Sequence, residues 1–274
     1  MSEIVVPAAW VAERRDEVVL VDVRDGWEFD GIGHVPGAVN VPFDSFRAGE
    51  HAAESGGDES GAAGMLPGGA VFADLLGGAG IDREDRVVAY DDHHGVFAAR
   101  LLVTAELYGH DPAKLHLLDG DFSAWQRERE TTSEVSELEP TTYEVTDPAE
   151  TETPLVDADA VAAAVDDPKA VVVDTREDWE YEEGHVPGAV RLDWRELVDD
   201  DTRGLKPRDE VESILEARGV TPGKRVVLYC NTARRISHTY TVLRHLGYPD
   251  RRFYEGSLTE WEREGRPLES GAAE

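Results

Sequence analysis

Four sequence blocks recur in the same order along this chain, and that duplication constrains the fold more than any other feature. Leu20-Val21-Asp22-Val23-Arg24 matches Val172-Val173-Asp174-Thr175-Arg176. Gly33-His34-Val35-Pro36-Gly37-Ala38-Val39 matches Gly184-His185-Val186-Pro187-Gly188-Ala189-Val190. Arg86-Val87-Val88-Ala89-Tyr90-Asp91 matches Arg225-Val226-Val227-Leu228-Tyr229-Cys230, and Leu118–Trp125 matches Tyr254–Trp261. A period this long does not suit a solenoid; it reads as two copies of one domain. The 274 residues fit two domains of roughly 100–150 residues, each with its own core.

The copies read alike in secondary structure. Val18–Val23, Ala38–Val41, Arg86–Tyr90 and Leu115–Leu118 are expected strands, as are Val171–Asp174, Ala189–Leu192, Val226–Tyr229 and Arg252–Tyr254. Short continuous apolar strands that alternate with helices predict an α/β fold, a mainly parallel sheet flanked by helices in each copy. Helices are expected over Val96–Tyr108, over Asp209–Arg218 before Gly219, and over Ser237–Leu246 before Gly247. The polar, proline-punctuated stretch 134–154 reads as a linker between domains at 1–133 and 155–274. Ala48–Gly64, rich in Gly, Ala, Ser and Glu, reads as a surface loop that lengthens the first copy, and the Gly-Ala-Ala-Glu tail as disordered.

The copies differ where chemistry is expected. Cys230 is the single cysteine of the chain, placed where a strand runs into a helix; Asp91 stands at that place in the first copy. A thiol there faces the unpaired N–H groups of the helix start, with Arg234 and Arg235 close by, and both features favour the thiolate. A carboxylate cannot do sulfur chemistry, so only the second copy can carry a cysteine-based reaction; Asp91 can also serve as a helix N-cap.

The Val-Asp-x-Arg strand, the Gly-His-Val-Pro-Gly-Ala block, the cysteine loop and the Gly-x-x-x-Trp ending resemble the rhodanese superfamily. The two-copy layout, with its cysteine in the second copy, resembles the tandem thiosulfate and 3-mercaptopyruvate sulfurtransferases. The resemblance implies a monomeric enzyme, with no metal or organic cofactor, whose site lies in the cleft between two tandem rhodanese-like domains. It implies Cys230 as the nucleophile that becomes a persulfide, and a loop of Asn231, Thr232, Ala233, Arg234 and Arg235 that cradles a small anionic sulfur donor. It also implies that Arg100 meets the substrate anion from the inactive copy. The acceptor would be cyanide or a thiol.

Asp174 and Arg176 recur as Asp22 and Arg24, which argues for a supporting brace rather than catalysis. His34 and His185 also recur and read as structural. Four residues separate Cys230 from Arg235. Phosphatases of related fold have five between, which here would require an arginine at Ile236, so the spacing favours sulfur transfer over phosphatase or arsenate reductase chemistry. The resemblance implies, from the basic Arg234 and Arg235 in this loop, thiosulfate rather than mercaptopyruvate as donor. Glu180 stands where thiosulfate enzymes of the family can carry a further arginine, a departure that leaves the donor open. A persulfide carrier fed by a partner protein is the alternative from another class.

The net charge is −31, with four lysines in the chain. Such a surface repels nucleic acid and anionic membranes. It predicts adaptation to a salt-rich cytoplasm, where the Debye length falls to about 3 Å at molar salt and self-repulsion is screened. No run of eighteen apolar residues occurs, the N-terminus lacks the layout of a signal peptide, and a lone cysteine excludes an internal disulfide.

Overall fold

The computed structural model describes residues 3–49, 65–136 and 138–272. Most of the Ala48–Gly64 stretch and the last two residues of the tail lie outside that range. The chain forms two compact units. One comprises Glu3–Thr153 with Asp200–Gly204; the other comprises Pro154–Asp199 with Leu205 onward.

In the first unit the strands are β1 (Val5–Pro7), β2 (Val19–Asp22), β3 (Ala38–Asn40), β4 (Val87–Tyr90) and β5 (Leu115–Asp119). They pair in parallel in the order β1-β5-β4-β2-β3. The helices are α1 (Ala8–Glu13), α2 (Gly26–Gly31), α3 (Gly69–Gly78), α4 (Val96–Leu107) and α5 (Asp121–Glu128). The strands β2 and β4 are almost continuously apolar because both faces of a parallel sheet are covered. Val6, Trp10, Leu20, Phe29, Val88 and Trp125 pack together in the core.

The second unit repeats this plan. Its helices are α6 (Ala158–Val165), α7 (Asp178–Glu183), α8 (Arg208–Glu216), α9 (Arg234–Leu246) and α10 (Ser257–Arg263). Its strands are β6 (Ala170–Asp174), β7 (Val190–Arg191), β8 (Arg225–Tyr229) and β9 (Arg251–Phe253), parallel in the order β7-β6-β8-β9. The counterpart of β1 is reduced to one parallel bridge, Leu155 to Phe253. Val161, Val172, Val227, Tyr254 and Trp261 form the core.

The repeat extends to atomic detail. Tyr90 and Tyr229, each at the end of a central strand, accept the N–H of Val35 and Val186 through their hydroxyls, both at 3.0 Å. His34 Nδ1 lies 3.0 Å from the Phe29 carbonyl, and His185 Nδ1 lies 2.8 Å from that of Tyr181. The Gly-His-Val-Pro turn is thus pinned to both the sheet and the preceding helix. The tail is tied at its start: Glu269 bridges to His185, and the Gly271 N–H reaches the Glu182 carbonyl at 3.0 Å.

Two elements depart from the sequence expectations. β1 is an additional strand. And α9 begins at Arg234, a turn earlier than Ser237, so Arg234 and Arg235 stand in the first turn of the helix. Among the described residues, no helix is long and apolar enough to cross a membrane.

Candidate active site

The end of β8 delivers Cys230 into the turn before α9. Parallel strands lie in register on both sides of β8, with Asp174 of β6 opposite Tyr229 and Phe253 of β9 opposite Leu228. Cys230 is 1% exposed. Its backbone is fixed from the junction of β9 and α10: its N–H donates to Ser257 Oγ at 3.2 Å and its carbonyl accepts from Leu258 N at 2.9 Å. Ser257 is itself held in the left-handed region at φ +48° and donates to the Tyr254 carbonyl at 2.9 Å. Thr259 Oγ1 donates to the Asn231 carbonyl at 2.8 Å. Ala233 caps α9 with φ +60°, a conformation that costs a non-glycine residue roughly 1–2 kcal/mol. The turn is therefore held by its surroundings rather than by local preference.

The side chains above the turn are organised by α7. Glu180 on that helix accepts from Asn231 Nδ2 at 2.8 Å and from Arg235 through both guanidinium nitrogens, Nη2 at 3.1 Å. It also accepts the Glu177 N–H at 3.1 Å, which closes a capping box at the start of α7. The other end of the Asn231 amide receives Arg176 Nη1 at 3.4 Å. Arg176 in turn is bidentate to Asp174 and donates to the Gly184 carbonyl at 2.6 Å. Asp174 and Arg176 thus tie the strand end, the Gly-His-Val-Pro turn and the cysteine loop into one hydrogen-bonded unit. Asp22 and Arg24 form the same bidentate pair, with Arg24 on the Gly33 carbonyl at 2.8 Å.

The two loop arginines are not equivalent. Burial works to lower the Arg235 guanidinium, but the Glu180 carboxylate outweighs it and raises the group above its ordinary value. Arg234 is lowered, first by burial and then by the neighbouring positive charge of Arg235, against the opposing pull of Cys230 and Glu180. Burial alone would raise Glu180; its bonds from Arg235, the Glu177 N–H and Asn231 prevail and hold it below the ordinary carboxylate value. A group lowered on folding stabilises the fold above its unfolded value of about 4.3 and loses that contribution as pH falls through the lower folded value. Denaturant midpoints of wild type and Glu180→Gln should therefore differ at neutral pH and begin to converge as pH falls below the unfolded carboxylate value of about 4.3.

Six residues named from sequence, Cys230 through Arg235, lie consecutively in this turn and the first helical turn, with Asp174 and Arg176 beneath them. Arg100 lies on α4 of the first unit with its side chain fully buried. Sequence reasoning missed Glu180 as a constituent of the site, treating it as a departure. It also missed Ser257 and Thr259. For Ser257 the signal was present: Asp121 holds the same place in the repeated block, is also at positive φ (+45°), and accepts the His94 N–H at 3.0 Å.

In the first unit the matching loop holds an anion of its own. Asp91 is fully buried, and its carboxylate accepts four backbone N–H groups: His93 (2.7 Å) and Gly95 (2.8 Å) on Oδ1, Phe97 (2.7 Å) and Ala98 (3.0 Å) on Oδ2. Burial pushes its carboxyl up and these bonds oppose that shift. Among the described residues, no cluster of His, Cys, Asp and Glu is placed to hold a metal ion.

A strand-to-helix turn that recurs on two like parallel sheets, and presents a buried thiol to the helix start in one of them, is the design of a sulfur-transfer family. The family model for the rhodanese-like domain matches twice, over residues 7–128 and 157–264, and the chain belongs to the rhodanese family. A thiosulfate sulfurtransferase of Pseudomonas aeruginosa is 30% identical over 89% of this chain and 88% of its own length. The sulfur carrier protein TtuD of Thermus thermophilus is 29% identical over 94% of this chain and 93% of its own. Among solved structures, the mercaptopyruvate enzyme SseA of Escherichia coli shares the fold with a TM-score of 0.78 at 24% identity, covering 94% of this chain and 99% of that one. EanB in complex with ergothioneine gives 0.84 at 18%, covering 99% of this chain and 71% of that one. The chain is thus a tandem member of the rhodanese-type sulfurtransferases.

Proposed function

We propose that the protein transfers the sulfane sulfur of thiosulfate to a thiophilic acceptor, cyanide or a thiol, through a persulfide on Cys230. The observation that carries this reading is the turn itself: a lone thiol at a strand end, facing a helix start whose first two residues are arginines. The Pseudomonas relative supports thiosulfate as donor.

In the first half-reaction the Cys230 thiolate attacks the outer sulfur of thiosulfate. A new S–S bond forms to Cys230 Sγ, and the original S–S bond breaks with its electron pair leaving on sulfite. In the second half the acceptor's lone pair takes the outer sulfur, and the pair of the S–S bond returns to Cys230 as thiolate. Two displacements at one nucleophile predict ping-pong kinetics. The N–H groups from Asn231 to Arg235 supply an anion cradle, and Arg234 brings positive charge to it within a chain of net charge −31, while Arg235 is paired with Glu180. No metal or organic cofactor enters either step. The acidic surface fits a salt-rich cytoplasm without nucleic-acid or membrane partners, and a monomer.

Arg234→Met keeps the length of the side chain and removes its charge. A charge-assisted contact is worth roughly 1.5–3 kcal/mol, so KM for thiosulfate should rise roughly tenfold to a hundredfold with a smaller change in kcat. Steady-state kinetics at fixed ionic strength reads this directly, and an unchanged KM would remove Arg234 from the donor site.

The test of the whole reading is the intact mass of the protein before and after excess thiosulfate. Gain of one sulfur atom, lost on adding cyanide with release of thiocyanate, is the expected result. The Thermus relative favours a second reading, a sulfur carrier. That reading predicts slow turnover with thiosulfate and fast transfer from a protein persulfide.

A further inference from the structure

The charge balance of the cysteine turn points to a role for Glu180. We propose that Glu180 determines donor specificity by charge: it holds Arg235 away from the donor and so limits the turn's attraction for dianions. This deepens the sulfur-transfer reading above and rests on it.

Arg235 stands in the first turn of α9, five positions after Cys230, close enough for the two to interact electrostatically. A guanidinium there would suit the two charges of thiosulfate. Both of its terminal nitrogens are instead committed to one carboxylate, which is 7% exposed and so poorly screened by water. The same carboxylate holds Asn231, the residue directly after the nucleophile. Glu180 therefore sets both the charge and the shape of the turn. The two opposite charges of the Glu180–Arg235 pair cancel. The first unit shows that this arrangement belongs to the catalytic copy. Its counterpart Glu28 closes the same capping box through the Asp25 N–H, but the residues following Gly95 are Val96 and Phe97, with no arginine to hold.

Such a site separates donors by charge. A dianion gains less than two arginines would give it, while a monoanionic donor, such as an organic thiosulfonate, loses little. The same balance eases departure of sulfite, itself a dianion, after the first displacement.

The test compares thiosulfate with an aryl thiosulfonate on purified full-length protein. Glu180→Gln preserves side-chain size and can still accept from Asn231. It should lower KM for thiosulfate roughly tenfold, change KM for the thiosulfonate less than about threefold, and leave kcat with thiosulfate equal or lower as sulfite release slows. The double variant Glu180→Gln/Arg235→Gln should return the donor ratio to the wild-type value, and Glu180→Asp should keep that value. Glu183→Gln, on the exposed side of the same helix, removes one charge without touching Arg235 and should leave the ratio alone. Glu180→Ala frees Arg235 by another route and should move the ratio in the same direction, so the test survives if the Gln variant folds poorly. Equal changes in KM for both donors, or none, would overturn the role of Glu180 while persulfide formation still stands. Absence of a persulfide on the wild type with either donor would overturn the sulfur-transfer reading and this role with it.

Discussion

Cys230→Ser is expected to abolish sulfur transfer from every donor while leaving the fold intact. The loss should be roughly 10⁴-fold or more, as befits removal of a nucleophile on which both half-reactions depend. Serine is close in size, and the contacts that fix position 230 are made by its backbone: the N–H to Ser257 and the carbonyl to Leu258. The turn should therefore keep its shape and its anion cradle. What disappears is the thiolate, and a hydroxyl beside arginines cannot substitute for it without a general base to take its proton. Intact mass after thiosulfate should show no added sulfur, and thermal unfolding should shift little. A sulfur adduct on the serine variant would place the reactive group elsewhere, and residual turnover near wild type would exclude the persulfide route.

Much of the architecture was legible because parallel strands covered on both faces leave continuous apolar runs, as Val172-Val173 and Val226-Val227-Leu228 do. The repeat then located the turn, since Tyr229 and Cys230 match Tyr90 and Asp91. β1 was not legible: it is three residues long, ends in Pro7, and gains its strand character from pairing with Leu117–Asp119, more than a hundred positions away. The start of α9 was hidden for a different reason. Its N-cap is Ala233, a residue without a capping side chain, held at positive φ by the turn around it. Sequence spacing of apolar residues begins only at Ile236, so the first turn, which carries both arginines, reads as loop. Glu180 was read as a foreign residue where an arginine was expected. Its meaning depends on α7 packing over the turn, a long-range contact that a string of residues does not reveal.

Asp91→Ala should be the most damaging single change in the first unit, destabilising it by about 3 kcal/mol or more. The carboxylate receives four backbone donors across two oxygens, and the Gly95 and Ala98 N–H groups are fully buried. Leaving a buried donor unpaired costs roughly 1–3 kcal/mol each, and the site also loses a negative charge at the start of α4. Asparagine should not rescue: its amide NH₂ would face two N–H donors where an oxygen now accepts. Denaturant unfolding of Asp91→Ala and Asp91→Asn, beside wild type at matched salt, measures both losses; a change below about 0.5 kcal/mol for alanine would show that water replaces the carboxylate. The same geometry explains why cysteine at this position should not create a second active turn. The N–H groups of that turn converge on the side chain at position 91 itself rather than on a site beyond it. Both α4 and α9 begin after a left-handed residue, Gly95 and Ala233. Yet the first-unit turn is one residue longer from the strand to that point, and Val96 and Phe97 stand where α9 begins with Arg234 and Arg235. Asp91→Cys in a Cys230→Ser background is therefore expected to fold less stably and to form no persulfide with thiosulfate. Sulfur chemistry in this chain requires the shorter turn and its arginines as much as the thiol.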